Sequence, residues 1–140
     1  MLIADIMTRR VTAVHMDASI RLVKGIFEDS GYHHLPVVEG KRVVGLIHDR
    51  DVMGMISPYV GTPSETERDR DTMKKRAHQI MVRNPPCVRP ETYIDAATAL
   101  LLEYHLSALP VVNRHRILKG IVTWRDLLRF HLEHPRQSRR

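Results

Sequence analysis

The sequence predicts an α/β fold, in the α+β sense, written twice as β-α-β-β-α, and three observations carry that prediction. The first is an internal repeat: Ile6-Met7 returns as Ile80-Met81, Val14 as Val88, Ile20 as Ile94, and the LPVV at 35–38 as the LPVV at 109–112. Arg42 is answered by Arg116; then, after one extra residue in the second copy, Gly45 is answered by Gly120 and Arg50-Asp51 by Arg125-Asp126. The second is helical spacing of apolar residues alternating with short β-branched runs, the pattern of a mixed domain. The third is a hairpin signature between two such runs. A repeat at a fixed offset marks supersecondary units that cannot bury their apolar faces alone. Two copies therefore predict one pseudo-twofold globule with a cleft between its halves.

In the first copy, residues 12–14 predict a short strand. A helix follows over 19–30, with Ile20, Val23, Ile26 and Phe27 on one face. Asp17 or Ser19 suits its start and Gly31 its left-handed end. The runs at 35–38 and 43–47 read as strands joined through Glu39-Gly40-Lys41, and Gly45 predicts close approach of a backbone or ligand. The second copy predicts a helix over 94–104, strands over 109–112 and 117–122, and a closing helix over 125–134. The expected divisions are residues 1–56 for the first repeat, 57–77 for a charged linker, 78–134 for the second repeat and 135–140 for a basic tail. Within the linker, Ser64 and Glu67 have capping-box spacing, which predicts a solvated helix.

At 140 residues the chain has the size of one domain. Two separate domains of about 55 residues would each be marginal, so a shared interface is expected. The single cysteine, Cys87, excludes an intramolecular disulfide. The start MLIADIMTRR has too short an apolar run for a signal peptide, and no stretch approaches a membrane span, so a soluble cytoplasmic protein is expected. A formal net charge of +6 suits an anionic partner, but the Lys and Arg residues are scattered apart from Lys74-Lys75-Arg76 and the tail residues Arg136, Arg139 and Arg140. Solvated surface charge accounts for most of it, and no recognition-helix or RNA-binding motif supports nucleic acid as a partner.

The chemistry concentrates at Gly120-Ile121-Val122-Thr123-Trp124-Arg125-Asp126. A strand entering a helix presents free N–H groups and the positive end of a helix dipole, both suited to phosphate. Thr123 can join them, while an ionised Asp126 only accepts, as a ribose diol requires. The same Thr-x-x-Asp spacing is also an ordinary helix cap, so the motif alone does not define a site.

In combination with the repeat, the chain resembles the paired cystathionine-β-synthase-like (CBS) domains, or Bateman module. The resemblance rests on IMT at 6–8 and IMV at 80–82, HLPVV at 34–38 and ALPVV at 108–112, and GLIHDRD at 45–51 and GIVTWRD at 120–126. It implies two repeats packed sheet to sheet with pseudo-twofold symmetry, a homodimer, and a regulatory module for an adenine nucleotide (AMP, ADP or ATP), S-adenosylmethionine or NAD. It also implies a primary cleft of Thr8, Ala13, His33, His34, Thr123, Arg125 and Asp126. Asp126 would hold the ribose, Thr123 the ribose or phosphate, and the segments at 8–13 and 33–34 the base. A second cleft would use His48, Arg50, Asp51, Val82, Cys87, Ser107 and Ala108. There His48 replaces the family's Thr or Ser and Val82 replaces the hydroxyl of Thr8, so this cleft is expected to be weaker, empty or altered in preference.

Other chemistries have less support. Nine histidines suggest metal, but no His/Cys spacing matches a structural zinc pattern, and none is expected. His33 or His34 suits a base or phosphate contact instead. Cys87 reads as an inert, buried thiol. Arg50 and Arg125 read equally as phosphate ligands or helix surface charge, and Trp124 as core cover rather than a stacking platform. No nucleophile with an adjacent base, no Walker loop and no paired carboxylates stand out, so no catalytic residue is expected and the chain does not read as an enzyme. The alternative to ligand sensing is a dimerisation or docking scaffold with vestigial sites and an effector protein as partner.

Overall fold

A computed structural model describes residues 1–135. Of the expected tail, Arg136, Arg139 and Arg140 lie outside the described residues. The element order is β1 (Val14–His15), α1 (Ile20–Ser30), β2 (His34–Glu39), β3 (Arg42–His48), α2 (Asp49–Met55), α3 (Glu67–Asp71), α4 (Ala77–Ile80), β4 (Val82–Arg83), α5 (Ile94–Tyr104), β5 (Ala108–Val112), β6 (Leu118–Thr123) and α6 (Trp124–Glu133). These form a four-stranded sheet in the order β1-β2-β3-β4 and a two-stranded sheet, β5-β6. By packing, the chain divides into two compact units. One comprises Met1–Val11, Lys41–Val43 and the chain from Pro85 on, and the other Thr12–Gly40 with Val44–Asn84. Each unit thus combines most of one sequence copy with the opening segment of the other.

In the unit containing Thr12–Gly40, β1 runs parallel to β2, with Val14 opposite Val37. β3 runs antiparallel to β4, with Leu46 opposite Val82. Ser19 caps α1, its hydroxyl accepting the Leu22 N–H at 3.2 Å, and Gly31 ends it at φ 73°. Ile20 and Val23 on that helix are buried with Leu35, Val37 and Ile47, which is why the helical spacing of the sequence succeeds. The predicted cap at Ser64 is corrected: Thr66 starts α3, its hydroxyl accepting the Asp69 N–H at 3.3 Å while the Asp69 carboxylate accepts the Thr66 N–H at 2.8 Å. Thr-x-x-Asp closes a capping box as Ser-x-x-Glu would, and here the shorter acid reaches back. The charged linker is anchored as well. Met73 is 4 % exposed, the Ser57 hydroxyl donates to Asp69 at 2.8 Å, and the Ile20 N–H donates to the Lys75 carbonyl at 2.7 Å.

In the other unit all five residues of β5 are buried. β5 pairs antiparallel with β6 from Ala108 opposite Thr123 to Val111 opposite Gly120, after which the register shifts to Val112 opposite Leu118. Lys119 is therefore the extra residue of the second copy, accommodated as a β-bulge. Single bridges flank this pair: Val88 parallel to Val111, and Thr8 antiparallel to Ile121. The strand order of the four-stranded sheet is thus repeated in shorter form. Leu101 of α5 and Phe130 of α6 bury their side chains with Ile3, Leu109 and Val122.

Candidate ligand site

The β6–α6 junction is built from the glycine outward. A Cβ on Gly120 would stand 2.6 Å from the Thr8 carbonyl oxygen, so only glycine lets the 7–8 segment lie against β6. There the Thr8 N–H donates to the Ile121 carbonyl and the Ile121 N–H to the Thr8 carbonyl, both at 2.9 Å. This brings the exposed Thr8 within two residues of Thr123 along the sheet. Thr123 is the N-cap of the ten-residue α6. Its N–H donates to Asp126 Oδ2 at 2.8 Å, its hydroxyl stands 3.1 Å from the same oxygen, and the Asp126 N–H donates to that hydroxyl at 3.4 Å. The motif is therefore a closed capping box. It occupies one carboxylate oxygen and, among the described residues, leaves Oδ1 facing only Arg129, 3.9 Å away, with the Asp126 side chain 16 % exposed. That oxygen can accept from a hydroxyl donor. Ser107 stands beside the helix start, its carbonyl accepting the Trp124 N–H at 3.0 Å, and Ala108 is opposite Thr123.

The corresponding junction in the other unit is filled differently. Val82 is opposite Leu46, the counterpart of Thr8 opposite Ile121, and a Cβ on Gly45 would meet the Met81 side chain, its Cγ 2.7 Å away. The close approach expected at Gly45 is thus a side chain rather than a backbone or ligand. His48 caps α2: its Nδ1 lies 3.1 Å from the Arg50 N–H and 2.6 Å from Asp49 Oδ1, and its own N–H donates to Asp51 at 3.1 Å. Nδ1 accepts from Arg50 when it carries no hydrogen and donates to Asp49 when it carries one, so the two contacts exclude one another. His33 Nδ1 holds the other Asp49 oxygen at 2.8 Å, and the His34 ring meets the His48 ring edge-on at 4.6 Å. Burial, reinforced by the neighbouring His48 and His33, lowers the His34 pKa to about 4. Burial acts to raise the Asp49 pKa, but hydrogen bonding from His33 and the charge of His48 outweigh it, and the net shift is downward. Sequence reasoning missed Asp49, whose role shows only once β2 and β3 bring His33 and His48 to the same place.

One unit thus carries Thr8, Cys87, Ser107, Ala108, Thr123, Arg125 and Asp126, and the other Ala13, His33, His34, His48, Arg50, Asp51 and Val82. Thr8 shares a unit with Thr123 and Asp126, and Val82 shares one with His48 and Asp51. Arg50 and Arg125 both lie exposed on their helices. Trp124, expected to cover the core, is 49 % exposed at the start of α6, while Leu127 and Phe130 of that helix are buried. Cys87 is half-buried; burial raises its pKa against the pull of Arg116, whose guanidinium is 3.6 Å from the sulfur. Among the described residues no group of three or more His, Cys, Asp or Glu side chains is arranged to hold a metal, and no helix is long and apolar enough to cross a membrane.

A duplicated sheet with a glycine-flanked, capped strand-to-helix junction in each unit defines the class, and sequence comparison agrees. The CBS domain matches residues 3–58 and 77–133, and the chain belongs to the CBS-domain family. Among its relatives, uncharacterized protein MJ1404 of Methanocaldococcus jannaschii is 30% identical over 129 residues, 90% of this chain and 27% of the relative. A CBS domain-containing protein of Dictyostelium discoideum is 26% identical, over 91% of this chain and 88% of the relative. The chain spans less than half the length of several curated M. jannaschii relatives. Two solved structures share its fold over nearly their full length. One is the CBS domain pair of protein MJ0100 in complex with 5′-methylthioadenosine and S-adenosyl-L-methionine (TM-score 0.78, 25% identity, 95% of this chain and 97% of that one). The other is CBSX2 of Arabidopsis thaliana in complex with AMP (TM-score 0.79, 26% identity, 96% and 98%).

Proposed function

We propose that this protein is a regulatory module that senses an adenosine-containing compound, an adenine nucleotide or S-adenosylmethionine, and that the β6–α6 junction holds the ligand's sugar. One observation carries this reading: Asp126 keeps one acceptor oxygen open at the start of α6 while Thr8 is held alongside. In it Asp126 accepts from the ribose, and Thr123 and Thr8 offer hydroxyls to ribose or phosphate. Arg125, exposed on the same helix, adds a guanidinium beside them. The ligands of MJ0100 and CBSX2 support an adenosyl compound as the class. His48, Arg50, Asp51 and Val82 form the weaker set, because Asp49 already engages two imidazoles there. The module acts as a homodimer in the cytoplasm and signals by population shift, to the extent that the ligand binds one arrangement of the protein better than another.

The test is thermal unfolding of ligand-free protein with AMP, ADP, ATP, S-adenosylmethionine and NAD. A ligand at about a hundred times its dissociation constant adds roughly 2.7 kcal/mol of stability. No stabilisation by any of the five would sink the reading. The second reading, a docking scaffold, is favoured by exposed Leu22, Leu102, Leu128 and Leu132, which are 54 to 82 % accessible on α1, α5 and α6. An adenine compound released from purified protein on denaturation decides against it.

A further inference from the structure

We propose that the unit containing β5 and β6 carries a second site, apart from Thr8, Thr123 and Asp126, that takes a chain of two or three linked phosphates. The site is a recess of about 490 Å³ whose wall includes Arg9, Arg89, Arg114, His115 and Lys119, with Glu91 as its one carboxylate. That volume lies within the range of roughly 300–1,000 Å³ usual for small-ligand clefts. Four permanent cations face one carboxylate, and among the described residues Glu91 is engaged only at 3.9 Å by Arg89, with both side chains more than half exposed. Concave surfaces focus such a field, and like charges held together repel until an anion joins them. Guanidinium forks match phosphate oxygens in pairs, and three of them with an ammonium exceed what a single phosphate needs.

The charge is placed by structure that the first copy lacks. Lys119 is the bulge residue, inserted between partners of Val111 and Val112, and a bulge re-aims the side chain it adds. Among the described residues its ammonium has no partner. The loop before it is tied down: Asn113 Oδ1 accepts the His115 N–H at 2.9 Å and the Ile117 N–H at 3.0 Å. Arg114 donates through Nε to His115 Nε2 at 3.2 Å, and Arg9 to the Ala4 carbonyl at 3.2 Å. Arg9 and His115 have basic counterparts in Arg83 and Lys41, but at the repeat positions of Arg89, Glu91 and Arg114 the first copy has His15, Asp17 and Gly40, and it has nothing at Lys119. The charge cluster is therefore duplicated only in part, without Arg89, Arg114 and Lys119.

Calorimetric titration of the full chain with inorganic tripolyphosphate, orthophosphate and sulfate at matched ionic strength tests the site. Tripolyphosphate is expected to bind at least tenfold more tightly than the two monomeric anions. Lys119→Gln combined with Arg114→Gln should weaken it at least tenfold, as should Arg89→Gln alone, a substitution outside the loop and the bulge. ATP separates the sources: competition with tripolyphosphate identifies the tail of a nucleotide, and independent binding identifies a free phosphate chain. Tripolyphosphate carries neither base nor sugar, so a failed adenosyl site leaves this result standing. Equal binding of all three anions, no binding at millimolar concentration, or unchanged affinity in the variants would overturn the proposal.

Discussion

Gly120 stands so close to Thr8 that a methyl group on its α-carbon would lie 2.6 Å from the Thr8 carbonyl oxygen and 3.2 Å from the Met7 sulfur. The backbone oxygen cannot swing aside without giving up the paired hydrogen bonds between Thr8 and Ile121. Gly120→Ala is therefore expected to cost about 1–3 kcal/mol, the usual range for overpacking a close contact. Urea denaturation of the variant measures it. A cost near zero would mean that the 7–8 segment does not depend on this contact.

Thr66 and Asp69 repeat the hydrogen-bond pattern of Thr123 and Asp126 almost distance for distance, 2.8, 3.0 and 3.3 Å against 2.8, 3.1 and 3.4 Å. The linker cap is therefore an internal control for the ligand motif. Asp69→Ala and Asp126→Ala should both lower the unfolding temperature through a lost cap. Only Asp126→Ala should also remove the upward shift produced by the adenosyl ligand. If both variants keep that shift, the open oxygen of Asp126 is not the sugar contact.

The half-buried imidazole of His34 predicts an acid limb in the stability profile. Its pKa is about 4 in the folded protein against 6.5 unfolded, so between those values the unfolded chain binds more protons. The contribution is complete above pH 6.5 and is lost as pH falls through 6.5 toward 4. His34→Gln should flatten that limb in chemical denaturation between pH 7.5 and 4. The contribution of Asp49, whose pKa is lowered from 3.8, is lost only below this window. An unchanged limb in the variant would show that another group controls it.

Met73 tests whether the charged segment belongs to the fold. Its side chain is 4 % exposed. Met73→Ala is expected to cost about 2 kcal/mol or more, as for other buried methionines. A solvated linker would tolerate the change with no measurable loss.

Helix ends and strand positions were legible where the cause is local. Ser19 and Gly31 bound α1 because a hydroxyl and a left-handed glycine act within one turn. Helix α5 ends at Tyr104 without a glycine, on His105 at φ 54°. Thr123 and Asp126 were legible as a motif, but Thr66 and Asp69 share the spelling and the geometry, so spelling alone did not separate a ligand contact from a cap. Trp124 and Asp49 were misread or missed for a common reason. Exposure and partnership depend on which elements arrive from elsewhere in the chain.

The sequence by itself determined the duplicated α/β fold, the positions of most strands and helices, and the asymmetry between Thr123 and His48, because periodicity, turn residues and repeat offset act over short stretches of chain. Only the tertiary structure decided that the linker is anchored through Met73, that Met1–Val11 packs with the second copy, that Asp49 binds two imidazoles, and that the inserted residue becomes a bulge at Lys119. Those outcomes depend on burial and on hydrogen bonds between residues far apart in the chain, and a linear pattern does not encode which distant groups will meet.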